Sequence, residues 1–379
     1  MKPGLPRDQA AGLDSLTLHD LNAVPADVAQ LFGQAEAVDP QLGLGWYRNL
    51  AGTVFGPPSR PCIHVLRRQG RAVAALPVLE NKTRLGCGVL ALGNYYTSLF
   101  APALADDVQV PELAQLLRHV ARWHAPLSSL QLAPMAAQSP PYALLQAAMG
   151  QAGLATFDYF CFGNWYLPVT GNADHYLSSR PGELRNTLRR MGKKFAAGGG
   201  RFEIVTAPEE AQAAAVAFSR VYQTSWKQPE PHEGFIPGLV KLCAQHAWLR
   251  MGLARVGTQV VAAQLWIVAA DKANIYKLAY DPAFRQLSPG SLLTAHLMRH
   301  VMDVDKVQEV DYLTGDDAYK NQWMSHRRER RGLLAFNQHT LGGMAGWLRE
   351  TCARHLKPLL SPLRSRGQET RADANAAAH

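Results

Sequence analysis

Cysteine is scarce in this chain. Cys62, Cys87, Cys161, Cys243 and Cys352 are the five in 379 residues, and no two stand as a Cys-x-x-Cys pair. An odd number at wide spacing argues against a disulfide framework and against a thiolate zinc motif, and it fits a reducing cytoplasm. No metal site is therefore expected. No apolar run reaches the roughly 18 residues of a membrane-spanning helix. Met1 to Asp14 has Pro, Gly and acidic residues but no apolar stretch of the kind a secretory leader carries. The Gly-x-x-x-x-Gly-Lys-Ser/Thr spacing of triphosphate binders is absent as well. His296 and His300 stand one helical turn apart without the Glu of a His-Glu-x-x-His zinc helix, so they read as ordinary helix residues.

What is present is a chain long enough for two domains, 47% hydrophobic, with a net charge of +9. That charge fits either an anionic partner (nucleotide phosphates, tRNA, an anionic glycan or a membrane surface) or plain solubility. Residues 1–14 and 365–379 are polar, lack an apolar face, and read as disordered. Met344, Trp347, Leu348, Cys352, Leu356 and Leu359 mark an amphipathic C-terminal helix over 343–364. Such a helix either docks on the body or makes peripheral membrane contact.

Between the ends, one unit recurs. Val65–Leu76 and Leu253–Gln264 each read as strand, Gly turn, strand, and Val73-Ala74-Ala75 aligns with Val261-Ala262-Ala263. A helix precedes each hairpin and a long strand follows it, which points to a tandem duplication divided into 15–165 and 166–342. In the first copy, helices are expected near Pro25–Ala37, Pro111–Trp123 and Pro141–Ala152, with strands at Cys62–Arg68, Ala72–Glu80 and Ser129–Leu132. The aromatic stretch Leu92–Phe100 lacks a Gly-rich phosphate turn after it, so this copy reads as a scaffold or as a wall of the acceptor cleft. In the second, a basic helix near Pro181–Phe195 ends at Gly198-Gly199-Gly200. A strand (Phe202–Thr206), two helices (Pro208–Trp226, Gly234–Gln245), the hairpin and a strand Ala273–Asp281 follow. Then come a helix Ser291–Met302, a strand Val307–Leu313, a short helix Asp317–Met324 and a last strand Gly332–Gln338.

Chemistry concentrates in residues 280–320. Tyr280-Asp281-Pro282-Ala283-Phe284-Arg285-Gln286-Leu287-Ser288-Pro289-Gly290-Ser291 is a turn running from a strand into a helix, and free N–H groups at a helix start bind phosphate. The bland alternative is a Pro-Gly turn that only starts a helix. Asp311-Tyr312-Leu313-Thr314-Gly315-Asp316-Asp317-Ala318-Tyr319-Lys320 ends a neighbouring strand. There Asp316 or Asp317 suits either a general base acting through water or an ordinary helix N-cap, and Tyr319 suits an acid for a leaving thiolate. Lys320 suits either charge neutralisation at phosphate or an oxyanion, or a solvated helix surface. Upstream, Trp226 and Lys227 either wall a pocket and contact phosphate, or serve as a core Trp and a helix-dipole Lys. Arg185, Arg189 and Lys193 share one helix face and are candidates for an anionic acceptor, a lipid headgroup or a tRNA stem. Arg327, Arg328, Arg330 and Arg331 form a second basic cluster.

The order helix, hairpin, strand, phosphate turn, helix, strand, helix, strand is similar to that of a GNAT acyltransferase. With Tyr280-Asp281-Pro282, Arg285-x-x-Ser288-Pro289-Gly290, Gly315–Lys320 and Ser225-Trp226-Lys227, the chain resembles the CelD-like, BioF-type acetyltransferase group, distantly similar to the FemAB peptidoglycan-bridge enzymes. The resemblance implies an α/β fold of tandem GNAT-like (acyl-CoA N-acyltransferase) domains, each a mixed, mostly antiparallel sheet flanked by helices. It implies acyl-CoA, chiefly acetyl-CoA, as a co-substrate that is not permanently bound. Backbone groups of Leu278, Ala279 and Tyr280 would pair with its pantetheine arm. Arg285, Ser288, Gly290 and Ser291 would cradle its phosphates. The family's loop runs Arg/Gln-x-x-Gly-x-Gly/Ala. Ser288 replaces the first Gly, and Pro289 removes one N–H donor. The function implied is acyl transfer to an amine or hydroxyl of a small-molecule or glycan acceptor in polysaccharide or cell-envelope biosynthesis. The alternatives are FemAB-like transfer from aminoacyl-tRNA and a non-catalytic scaffold of exopolysaccharide assembly.

Overall fold

The shared Val-Ala-Ala motif of the two halves is built into the backbone as the same β-bulge. In a computed structural model that describes residues 12–57, 59–225 and 227–356, strand β2 (Pro61–Arg68) pairs with β3 (Arg71–Thr83). The register steps from Leu66↔Ala74 to Arg67↔Ala72, leaving Val73 as the extra residue. Strand β9 (Leu249–Val256) pairs with β10 (Gln259–Ala269), and there the step from Ala254↔Ala262 to Arg255↔Val260 leaves Val261 as the extra residue. A bulge bends and twists its strand locally. Two hairpins with the bulge at one place in the repeat therefore curve alike.

Around these hairpins the first copy runs β1 (Leu13–Leu18), α1 (Ala26–Glu36), α2 (Leu44–Thr53), β2, β3, β4 (Gly86–Ala91), β5 (Ala103–Leu104), α3 (Val110–Trp123), β6 (Leu127–Ala136), α4 (Pro140–Gln151) and β7 (Ala155–Pro168). The second runs α5 (Ala173–Ser178), α6 (Gly182–Ala197), β8 (Gly200–Val205), α7 (Pro208–Thr224), α8 (Phe235–Gln245), β9, β10, β11 (Lys272–Tyr280), a 3-10 turn (Pro282–Leu287), α9 (Pro289–Asp303), β12 (Glu309–Asp311), α10 (Lys320–Trp323) and β13 (His326–Phe336). Helix α11 follows over 341–356. This is a tandem GNAT-like fold, mixed α/β, with a mostly antiparallel sheet flanked by helices. Among the described residues no helix is long and apolar enough to cross a membrane.

The strands form one sheet in the order β1-β2-β3-β4-β6-β13-β7-β12-β11-β10-β9-β8. The two copies exchange their last strands. β7, at the end of the first copy, pairs with β12 of the second, and β13, from the end of the second, pairs with β6 of the first. β7 and β13 also pair with each other along nearly their whole length, so the copies cannot separate without breaking the sheet centre. One face of the sheet carries a core that both copies share: Trp46 and Tyr47 of α2 pack with Phe235 of α8 and Phe218 of α7. The other face carries two cores, one under α3 and α4 and one under α5, α6 and α9.

Several sequence expectations shift. Leu13 and Asp14, expected in the disordered end, are paired with Arg68 and Arg67 in β1. The strand expected over Val307–Leu313 keeps only Glu309–Asp311, because Leu313 takes a left-handed conformation (φ 53°). The last strand begins at His326, since its arginines alternate between ion-pair partners rather than lying in a loop. Strand β4, after the first hairpin, is short, and β7, β4 and α2 had no counterpart in the sequence reading. Residue 165 lies within β7. Helix α11 docks on β7, with Arg354 donating to the Asp158 carbonyl (2.7 Å) and stacking on Phe157. Residues 1–11 and 357–379, including Leu359 and the tail from 365, lie outside the described residues.

A buried polar network fastens the exchanged strands. Asp311 on β12, with its side chain 2% exposed, accepts from Asn164 Nδ2 on β7 (2.5 Å) and from Arg328 on β13. Arg328 also donates to Glu309 (2.7 Å) and to Asn164 Oδ1 (2.7 Å). Removing one member of such a set strands the rest without solvent. Asp311→Ala should lower the unfolding free energy by about 3–5 kcal/mol, read as a lower urea midpoint at unchanged slope.

Candidate active site

β11 and β12 begin as a parallel pair, Lys272↔Glu309, Ala273↔Val310 and Asn274↔Asp311, and their register stops there. The cause is local to Asp311. Its Oδ1 accepts from the Leu313 backbone N–H (2.6 Å), which curls the chain away from β11. Leu313 then adopts φ 53° and Gly315 φ 103°. The diverging segment is held by Lys320, whose side chain is 4% exposed. Its Nζ donates to the carbonyls of Thr314 (2.5 Å) and Gly315 (3.2 Å) and lies 3.3 Å from Asp317. Burial draws the Lys320 ammonium below its ordinary pKa, with Asp317 partly offsetting it.

The gap between the parted strands is a cavity of 230 Å³. Ile275–Leu278 of β11 form one wall, and Tyr312, Leu313, Thr314, Asp317, Tyr319 and Lys320 the opposite one. The first copy closes it with Tyr95, Tyr96 and Ser98. That segment is fixed from below: the Gln41 side chain accepts from the Ser98 N–H (2.8 Å) and donates to its hydroxyl (2.9 Å). Tyr96 stacks on Phe235 with ring centroids 3.8 Å apart. A second hollow of 430 Å³, sharing Tyr95 and Lys227 with the first, is floored by Glu230 between Pro229 and Pro231. Glu230 accepts from Lys277 Nζ (2.5 Å), Tyr96 Oη (2.7 Å) and Tyr95 Oη (3.2 Å). The Lys277 ammonium sits over the rings of Tyr95, Tyr96 and Tyr222 at 5.2–5.5 Å. Burial alone would raise the Glu230 carboxyl, but Lys277 and Tyr96 outweigh it and hold it below its ordinary value.

Of the sequence candidates, Leu278, Lys227, Asp317, Tyr319 and Lys320 line the cavity together. Burial, followed by the Asp317 carboxylate, pushes the Tyr319 hydroxyl up to about 12. Burial and the nearby Lys277 charge push Lys227 down to about 8. Asp316 is placed elsewhere. It lies outside the cavity lining, chelated by Arg327 (2.7 and 3.0 Å) and bonded by Trp165 Nε1 (2.7 Å). The Arg327 hydrogen bonds hold its carboxyl below the ordinary range despite some desolvation. Ala279 is buried against Ala263 of β10. Trp226 lies outside the described residues.

Beyond the cavity β11 ends at Tyr280 and enters the phosphate-turn candidate. Asp281 caps the 3-10 turn by accepting from the Ala283 N–H (2.9 Å). Ser288 closes it at φ 49°, ψ 45°, and Pro289 opens α9. The left-handed backbone at Ser288 explains why the usual loop carries Gly there, since a side chain in that region is strained. Gly290 faces the Tyr280 ring, where a Cβ would approach to 3.3 Å. Its carbonyl accepts from Gln264 Nε2 (2.9 Å) and Thr294 Oγ1 (3.1 Å). Arg285 is exposed and Ser291 half-buried. Helix α6 packs beside this turn and α9, with Arg185 and Arg189 exposed on it. The sequence reading missed Lys277 and Glu230. A lone Lys in a strand of apolar and aromatic residues, and a Glu between two prolines, were the available signals.

Residues 182–321, which contain the turn and the parted strands, match the family described as Acetyltransferase (GNAT) domain. Among solved structures, FemX is similar over 88% of this chain and 99% of its own, at 10% identity and a TM-score of 0.59. A conserved protein of unknown function from Bacteroides thetaiotaomicron is similar over 82% of this chain and 97% of its own, at 8% identity and a TM-score of 0.53. No curated protein matches the sequence. Residues 182–321 thus carry a GNAT-type acetyltransferase domain, and the chain as a whole shares its fold with FemX.

Lys227 carries a directional prediction. With its pKa depressed to about 8, it loses its proton well before an ordinary lysine at about 10.4. Labelling by an amine-reactive reagent across pH should therefore show Lys227 half-reactive near 8, cationic below and neutral above. Coincidence with the bulk lysines would show that it is not desolvated.

Proposed function

We propose that the second copy binds acyl-CoA, chiefly acetyl-CoA, and transfers the acyl group to an amine or hydroxyl of a small-molecule or glycan acceptor in polysaccharide or cell-envelope synthesis. The observation that carries the reading is the parting of β11 from β12 after Asn274, beside a turn that leads into the N-terminus of α9. The edge that β11 presents from Ile275 to Ala279, where the register with β12 has ended, suits the amide-bearing pantetheine arm, and the helix start suits phosphate. Exposed Arg185 and Arg189 on the adjoining α6 support a polyanionic donor, with Arg285 on the turn itself.

In the transfer, the acceptor nitrogen or oxygen bonds to the thioester carbon and the carbon–sulfur bond breaks. Tyr319, at about 12, stays a hydrogen-bond donor at neutral pH, suited to the charge developing on the leaving sulfur. As a weaker acid than a thiol of about 8.5, Tyr319 stabilises the leaving sulfur by a hydrogen bond, and the proton shed by the acceptor through Asp317 or Lys227 is the one that finally returns to the sulfur. Asp317 and Lys227 line the same cavity and are the candidate acceptors of the nucleophile's proton. The hollow floored by Glu230, with Tyr95 and Tyr222 around it, is the candidate acceptor entrance.

A second reading is favoured by the FemX-like fold together with basic α6: an aminoacyl-tRNA donor on the same turn. Its binding would fall steeply with salt, because each neutralised phosphate releases counterions.

Calorimetry with acetyl-CoA and longer acyl-CoAs tests the first reading. Saturable binding at one site per chain, weakened by Arg285→Ala, is expected, and silence with every thioester overturns it. Tyr319→Phe should lower kcat by about 100-fold while leaving donor affinity within a factor of about two. An unchanged kcat would remove Tyr319 from the chemistry.

A further inference from the structure

We propose that Cys62, His64 and His124 of the first copy form a zinc-binding site, away from the acyl-transfer cavity. Cys62 and His64 are alternate residues on β2 and point to the same side. His124 directly follows α3. All three are buried. Cys62 Sγ lies 3.6 Å from His64 Nε2, and His64 Nε2 lies 2.9 Å from His124 Nε2. The three ligand atoms fall within 4.8 Å of one another.

These separations are near those of a filled site. Zinc bonds of about 2.3 Å to sulfur and about 2.0–2.1 Å to nitrogen, at tetrahedral angles, set sulfur and nitrogen about 3.5 Å apart and two nitrogens about 3.3 Å apart. The sulfur–nitrogen spacing already fits, and the imidazoles need to part by about 0.4 Å. Each ring is also oriented from behind. Thr17 Oγ1 holds His64 Nδ1 (2.9 Å), and Glu80 Oε1 stands 3.7 Å from His124 Nδ1. Partners at Nδ1 leave Nε2 as the metal-binding nitrogen, the arrangement that outer-shell groups impose at zinc sites. The charges close as well, because a Cys62 thiolate and the Glu80 carboxylate together balance a divalent ion. Glu80 is 20% exposed, so its carboxylate reaches solvent at one side of the cluster.

The second copy shows what this position does in the fold. Cys62 stands four residues before Leu66, and Arg250 stands four before Ala254, the matched residue of the repeat. Arg250 forms a bidentate ion pair with Asp305, just past α9 (2.7–3.1 Å). There an ion pair fastens the hairpin to the end of the crossover helix. In the first copy, sulfur and imidazole occupy the same junction between β2 and the end of α3. A bound zinc would fasten it. Motif spacing does not reveal such a site, because the third ligand comes from a distant helix end.

The test uses the full chain, stripped with a chelator and titrated with cobalt(II), then zinc. One cobalt per chain, with a sulfur-to-cobalt band in the near ultraviolet that zinc abolishes, is expected. Cys62→Ser should remove the band, while Cys352→Ser and Cys87→Ser should keep it. Cys87, whose sulfur lies 3.6 Å from Glu80, borders a second group with Glu80 and His124. A band lost in Cys87→Ser and kept in Cys62→Ser would overturn the assignment. If Cys62→Ser does not fold, Glu80→Gln serves instead, with zinc affinity expected to fall about 10- to 100-fold. Absence of any sulfur-to-cobalt band, or a zinc affinity indifferent to Glu80→Gln, overturns the site.

Discussion

The carboxylate of Asp311 is the point on which the sheet and the site both depend. Its side chain is buried, and a charge there is tolerable only because Arg328 and Asn164 reach it and Arg330 stands 3.8 Å away. These partners come from β7 and β13, the two strands that the copies exchange. One oxygen of the same group also accepts the Leu313 N–H and turns the chain away from β11. The interaction that locks the exchange is therefore also the one that opens the cavity. Asp311→Asn would set an amide NH2 against the Arg328 guanidinium, donor to donor, while the Oδ1 bonds to Asn164 and Leu313 could stay.

Exchange of the last strands changes what the first copy contributes. Each copy alone would leave its sheet with an unpaired edge at β6 or β12, a hazard for association. Paired through β7 and β13, neither inner edge exists. The shared core of α2, α7 and α8 then holds the Tyr95–Ser98 segment over the second copy's cavity. The first copy closes the cavity of the second with Tyr95 and Tyr96, whose hydroxyls bond to Glu230 from a loop of the other half.

Much of this was legible in the residues, and the reasons for the rest are physical. The repeat could be read because a bulge needs one extra residue in register, and Val73 and Val261 preserve it. The turn at Arg285–Gly290 could be read because Pro289, with its fixed φ and missing N–H, and the Gly after it mark the end of a strand and the start of a helix. Long helices carried clear periodicity. The strand exchange could not be read, because pairing partners for β7 and β13 lie far apart in sequence and either assignment buries the same apolar faces. The role of Asp316 was hidden for a similar reason: its partners, Arg327 and Trp165, come from those two strands. Lys320 read as a charge for phosphate or an oxyanion, or as a solvated helix residue; its burial could not be read, because the turn carbonyls of Thr314 and Gly315 that take its protons are set by tertiary structure.

The two copies differ at the strand pair beside which the proposed donor would lie. In the first, β4 stays paired with β6 from Cys87–Leu127 to Leu90–Gln131, close to the end of the strand. The chain then leaves through Leu92, whose N–H bonds to Pro77, and returns to donate from Phe100 to the Pro134 carbonyl (2.6 Å). The wedge into which a thioester arm would fit is thus occupied by the protein's own backbone. In the second, the β11–β12 register ends at Asn274 and Asp311, and β11 runs on from Ile275 past the point where β12 has turned off. Unsatisfied backbone groups beside a cavity are costly unless water or a ligand meets them. An amide-rich arm lying along β11 would supply such a partner, whereas in the first copy β4 and β6 hold each other over the corresponding stretch.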